Sequence, residues 1–144
     1  AIWLTGPDVD LGAGVLRVRV KTVNGEFWQP KTKRNRVVPI SRRLHEILTH
    51  YTTNEQITGW FFPSPQGKRW DPDNFSNRLR KLNRAAGLDW SQLVLRHTFG
   101  SQLAMKGESL YKISALMGKS PEICRRHYAA LLPESLVGSV EFHV

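Results

Sequence analysis

The amino-acid sequence predicts an α+β domain that is mainly helical, with a small three-stranded antiparallel sheet near the N-terminus followed by a helical bundle. Two observations carry this. Period-two alternation is confined to the segment before Ser41, and beyond it apolar residues recur at spacings of three and four between cap residues and glycine stops. Val15, Arg17 and Arg19 alternate with Leu16, Val18 and Val20 after the Gly12 and Gly14 turn region, as a strand requires. Asn24-Gly25, set between that run and Phe27-Trp28, signals a hairpin, because both turn positions need positive φ. Residues 36–40 form a third β-rich segment, and Pro39, which has no N–H to donate, puts it at a sheet edge or at its own end.

Ser41 caps a helix whose apolar face is Leu44, Ile47, Leu48 and Tyr51. A polar loop follows over residues 52–59, then Trp60, Phe61 and Phe62 as an apolar plug before the turn-rich residues 63–67. Asp71 caps the next helix, with Pro72 at its first position and Gly87 as its stop. Three further helices are expected: residues 93–106 ended by Gly107, residues 109–117 ended by Gly118, and a last one from Ser120-Pro121 through Ile123 and Tyr128 to Leu132. Residues 137–144 read as β-like. The chain opens on Ala1-Ile2-Trp3-Leu4, apolar, uncapped and without an initiator Met, and is expected to be a fragment cut within a helix.

The 144 residues carry 21 Lys+Arg against 12 Asp+Glu, a formal charge of +9. That excess favours a polyanionic partner, most simply nucleic acid, although ribosome, membrane-surface and heparin binding share the arithmetic. The charge is clustered. Between Arg17 and Arg43 nine basic residues meet only Glu26, a second cluster runs from Lys68 to Arg84, and Lys119, Arg125 and Arg126 form a third. Single clusters are usually solvated faces; three of them suit a groove for a phosphate backbone. The lone Cys124 rules out an intramolecular disulfide framework and reads as a buried small apolar residue. No apolar run reaches the roughly 20 residues of a membrane span, so no membrane partner is expected. His45 and His50 are five apart and share no helical face, no Gly-rich phosphate loop precedes a helix, and no Gly-x-Ser-x-Gly elbow is present. Neither a metal nor a cofactor is expected.

The C-terminal third is more specific. It contains Leu95-Arg96-His97-Thr98-Phe99-Gly100-Ser101, then Leu116-Met117-Gly118-Lys119-Ser120, then Arg125-Arg126-His127-Tyr128-Ala129. Upstream stand Asp8-Val9-Asp10-Leu11, residues 30–40 (PKTKRNRVVPI) and Phe61-Phe62-Pro63-Ser64. In this order the segments resemble the C-terminal catalytic domain of the tyrosine recombinase (phage integrase) family. The family carries an arginine in a Leu-Arg-His-Thr-Phe segment and a nucleophilic tyrosine nine residues after the turn position that Lys119 occupies here. The resemblance implies the DNA breaking-rejoining fold and site-specific recombination or integration through a 3′-phosphotyrosyl intermediate. It assigns Tyr128 as nucleophile, Arg96 as phosphate clamp, Lys31 as general acid and Lys119 as a phosphate contact at a position usually His or Trp. Lys33, Arg34, Arg36, Arg78 and Arg125 are expected to touch DNA.

Such chemistry needs those residue types. The covalent intermediate conserves bond energy, so cations rather than a metal neutralise the nonbridging oxygens, and a guanidinium donates two parallel hydrogen bonds to a phosphate. Lys33 competes with Lys31 for the acid role, since strand register decides which of them points inward. His97 is taken as a helix-packing residue, and His127 is expected to point away. The pattern also departs from the family. Leu93 stands where a His-x-x-Arg motif has its histidine and cannot accept a proton, and the family's first arginine, in an Arg-x-x-Glu helix, is expected before Ala1. The chain is therefore read as one catalytic domain over residues 1–144, lacking its first helix and an upstream core-binding domain, and inactive alone. The implied partners are double-stranded DNA and further copies of the chain, as a tetramer on DNA for the full-length protein, with residues 140–144 added as a strand to a neighbouring subunit. The expected location is the cytoplasm, on the DNA of a bacterial or phage host. A degenerate member that binds DNA or partner subunits without cutting is the alternative.

Overall fold

The computed structural model describes residues 1–55, 57 and 59–132. They form two compact units, Ala1–Ser91 and Gln92–Val144. The β-like tail expected over residues 137–144 lies outside the described residues. The first unit contains β1 (Val9–Asp10), β2 (Val15–Val18), β3 (Lys21–Val23), β4 (Glu26–Trp28), β5 (Arg36–Pro39), α1 (Arg42–Asn54) and α2 (Pro72–Ala85). A three-stranded antiparallel sheet has the order β1-β2-β5, and β3 pairs with β4 as a separate hairpin. Val9 faces Leu16, and Arg17 faces Val37.

The three-stranded sheet is thus as expected, but its members differ. The period-two run ends at Val18, its continuation becomes β3, and the third place is taken by Val9–Asp10. Asn24 (φ 53°) and Gly25 (φ 79°) make the tight turn the sequence signalled. A two-residue turn joins only its immediate flanks, so β4 is bound to β3, and β2 pairs instead with the short β1 just before it and with β5 farther along the chain. Pro39 lies on β5 at the sheet edge, which a residue without an N–H tolerates.

Buried Asp8 ties this unit together. Its carboxylate accepts from the Thr5 backbone N–H (2.9 Å) and hydroxyl (2.7 Å), from Arg19 Nε (3.0 Å) and from Lys21 Nζ. Burial pushes the Asp8 pKa up, but the hydrogen bonds from Lys21, Thr5 and Arg19 outweigh it and hold the carboxyl below its ordinary 3.8. Trp3 stacks on Trp28 at 5.8 Å and meets the edge of Trp60 at 5.6 Å, while the Arg69 guanidinium lies 4.4 Å over Trp3 and pairs with Glu26 at 2.6 Å. Arg17 pairs with Asp10 at 2.6 Å. Several of the basic residues in the first two clusters therefore hold this unit together.

Ser41 caps α1, accepting from the Leu44 N–H, and Asp71 caps α2, accepting from Asp73 and Asn74. Of the apolar face expected on α1, Leu48 is buried and Tyr51 half-buried, whereas Leu44 and Ile47 are exposed. The aromatic plug explains the split. Phe61 and Phe62 meet Tyr51, whose hydroxyl donates to the Phe61 carbonyl at 3.0 Å, so the C-terminal half of α1 receives the cover. His45 Nε2 lies 2.8 Å from the Leu11 carbonyl, a structural tie.

The second unit holds α3 (Gln92–Met105), α4 (Leu110–Met117), α5 (Pro121–Tyr128) and a 3-10 turn, Ala129–Leu131. Ala104, Ile113, Met117, Cys124 and Tyr128 form its buried core, flanked by Leu103, Leu110 and Leu132. Ser109 and Ser120 cap α4 and α5, and Gly118 (φ 64°) ends α4 in the left-handed conformation. Among the described residues no helix is long and apolar enough to cross a membrane.

Candidate active site

Three of the residues expected to do chemistry belong to the second unit. Helix α5 begins at a fixed turn: the N–H groups of Gly118 and Lys119 both donate to the Ser114 carbonyl, and Pro121 sets the first helical φ. Half-buried Lys119 therefore sits just before the helix that carries Cys124 and Tyr128, one turn apart on its buried face.

Tyr128 is 1% exposed. Its ring lies against Gly100 of α3, where a Cβ would stand 2.5 Å from Cζ and 2.8 Å from the hydroxyl oxygen. Glycine inside a helix costs roughly 1 kcal/mol relative to alanine, and here the absent side chain is the niche for the ring. The niche brings the hydroxyl to the turn of α3 that bears Arg96 and His97, both exposed. His97 Nδ1 is 3.5 Å from the Tyr128 oxygen, at the long end of hydrogen bonding. The His127 ring stands 5.8 Å from that of His97, edge to face, and 6.0 Å from that of Tyr128.

Burial raises the Tyr128 pKa above its ordinary 10.0 and negative charge on Cys124 would raise it further, whereas the Arg96 guanidinium draws it down. Burial likewise raises the Cys124 thiol, against the opposing charge of Lys119. The buried thiol has the apolar packing role expected of it. Among the described residues no group of three or more His, Cys, Asp or Glu side chains gathers as a metal site.

Lys31 and Lys33 belong to the first unit. Both are exposed in the turn after β4, with Lys33 at φ 54° and its N–H donating to the Pro30 carbonyl at 2.8 Å. Neither lies on a strand, so strand register does not choose between them. Arg34 is exposed beside them and Arg36 half-buried on β5. Arg78 lines an open groove of about 570 Å³ with Lys68, Arg69, Trp70, Asn74 and Lys81. Arg125 is exposed and makes a two-pronged ion pair with Glu122, both bonds at 3.0 Å. Sequence reasoning missed two features. Gly100 in mid-helix was the available signal for a close approach, but the proximity of His97 and His127 to Tyr128 depends on how α3 meets α5, which no local pattern encodes.

The profile of the Phage integrase family matches residues 1–134. The integrase of Haemophilus phage HP1 is 30% identical over 121 residues, covering 81% of this chain and 31% of that protein. The tyrosine recombinase XerD of Brucella suis is 29% identical over 123 residues, covering 78% of this chain and 40% of that protein. The chain thus spans between about a third and two-fifths of these relatives. Among solved structures, the Tn1549 transposon integrase in complex with circular intermediate DNA superposes with a TM-score of 0.73 at 18% identity, over 96% of this chain and 51% of that one, a likeness of fold.

Proposed function

This chain belongs to the phage integrase family, and from that premise we propose that it is the catalytic part of a site-specific tyrosine recombinase that cuts and rejoins duplex DNA. One observation carries the reading: the hydroxyl of the buried Tyr128 lands on the turn of α3 that bears Arg96. In the proposed cycle Tyr128 attacks a phosphodiester in line, forming a 3′-phosphotyrosyl bond and releasing a 5′-hydroxyl. Arg96 clamps the nonbridging oxygens, Lys119 adds a point charge, and Lys31 protonates the leaving 5′-oxygen. Lys33, Arg34, Arg36, Arg78 and Arg125 are assigned to the DNA backbone, giving binding that weakens steeply with salt. The full-length protein is proposed to work as a homo-oligomer on DNA, in line with a reaction that exchanges strands between two duplexes.

At 1% exposure the Tyr128 hydroxyl meets a phosphate only when its edge is uncovered, so DNA binding has to supply that opening. The test incubates the full-length protein with nicked duplexes that trap cleaved strands. A covalent protein–DNA species that vanishes in Tyr128→Phe and falls about 10²- to 10³-fold in Arg96→Ala is expected. DNA binding with no covalent species would instead support a non-cutting member of the family.

A further inference from the structure

We propose that His97 is the catalytic proton acceptor for Tyr128, an assignment that rests on Tyr128 being the nucleophile. A tyrosine hydroxyl is a weak nucleophile until its proton leaves, and burial makes that loss harder here. A partner able to take a proton at neutral pH must therefore touch the oxygen. Among the described residues, the charged and titratable groups that interact with the hydroxyl or its ring are Arg96 and His97 on α3 and Cys124 and His127 on α5, with Lys119 in the turn before α5 acting on Cys124. Protonated arginine and lysine have no lone pair to offer, and the buried thiol is neutral. His127 keeps its ring beside that of Tyr128, but the ring nitrogen within hydrogen-bond reach of the hydroxyl is His97 Nδ1.

Leu93, one turn before His97 on the same helix, offers only hydrocarbon. With its own proton on Nε2, His97 accepts at Nδ1. His97 is exposed, so the proton can pass on to water. The balance is complete. As the Tyr128 Oη–P bond forms and the P–O5′ bond breaks, the Tyr128 proton moves to His97 Nδ1 and the 5′-oxygen takes a proton from Lys31. On rejoining, the attacking 5′-hydroxyl gives its proton back to Lys31 as the new P–O5′ bond forms, and the imidazolium returns its proton to the departing phenolate as the Oη–P bond breaks.

The test measures adduct formation by the full-length protein at saturating nicked duplex, from a pool randomised in sequence around the nick, between pH 5.5 and 8.5. Wild type should speed up as pH rises, and that acceleration should be lost in His97→Asn. His97→Ala and His97→Asn should both slow about 10²- to 10³-fold. Asn places an oxygen where Nδ1 stood and keeps the hydrogen bond without the basicity, and added imidazole should partly restore His97→Ala. A His127→Gln control should keep the wild-type profile. Wild-type rate and profile in His97→Asn, with its circular dichroism unchanged, would overturn the assignment, as would a profile that flattens in His127→Gln instead. If wild type yields no adduct, or Tyr128→Phe still yields one, the nucleophile assignment fails first and His97 falls with it.

Discussion

Each unit buries a titratable side chain almost completely, Asp8 in the first and Tyr128 in the second, and these two are treated in opposite ways. Asp8, at 0% exposure, is met by Thr5, Arg19 and Lys21, which together more than offset the cost of removing a carboxylate from water. Tyr128, at 1%, has among the described residues one long hydrogen bond at its hydroxyl, shared with His97 Nδ1. A group saturated with partners is held in one protonation state and serves the fold. A group left with one basic partner can still change state, which is what a nucleophile has to do. The contrast fits a stabilising role for Asp8 and the proposed chemical role for Tyr128.

Substitution should separate the two most sharply in thermal or urea unfolding. Asp8→Asn removes the charge opposite Lys21, whose side chain is only 11% exposed, and is expected to cost about 3 kcal/mol, the scale of breaking a buried ion pair from one side. Next comes Gly100→Ala. Its Cβ would press into the Tyr128 ring from rigid helix backbone, costing about 1–3 kcal/mol and displacing the hydroxyl, so adduct formation should fall with stability. Tyr128→Phe removes only a long hydrogen bond and should change stability by less than about 1 kcal/mol while abolishing the adduct. A large loss of stability in Tyr128→Phe, or none in Asp8→Asn, would break the comparison.

The pH dependence of unfolding should sharpen it with smaller effects. Asp8 is held below its ordinary 3.8, so the folded state keeps its carboxylate longer than the unfolded chain does; the stability it contributes is present above that value and is lost as pH falls through the lower folded pKa. Tyr128 is raised above 10.0, so the unfolded chain ionises first; its contribution is present below pH 10.0 and is lost as pH climbs through the higher folded pKa. In denaturation curves recorded across pH, Asp8→Asn should flatten the acid side and Tyr128→Phe the alkaline side. Chemical modification gives the mildest contrast. Tyr111, 76% exposed, should be acetylated readily by N-acetylimidazole, with Tyr128 protected until DNA binds.

Much of this was legible locally. The caps at Ser41, Asp71, Ser109 and Ser120, the stops at Gly87, Gly107 and Gly118, and the Asn24-Gly25 turn act within a few residues, and the structure keeps each one. What was not legible depends on distant partners. Val9–Asp10 is too short to announce itself as a strand and exists because β2 offers an edge. The apolar stripe on α1 could not show that cover would reach only Leu48 and Tyr51. In the proposed site, Tyr128 and Arg96 are assigned by family resemblance, and Gly100 was visible only as an oddity within a helix. His97 and His127 were set aside, because their contact with each other and with Tyr128 exists only once α3 and α5 have packed.

On the proposed reading, the Tyr128 hydroxyl is the atom that joins DNA. Its most direct test is mass mapping of the peptide left on DNA after the full-length protein is trapped on a nicked duplex and digested. The expected product is a 3′-phosphate linked through Tyr128 to the peptide containing residues 127–132. A linkage through Tyr51, Tyr111 or any other side chain would contradict it.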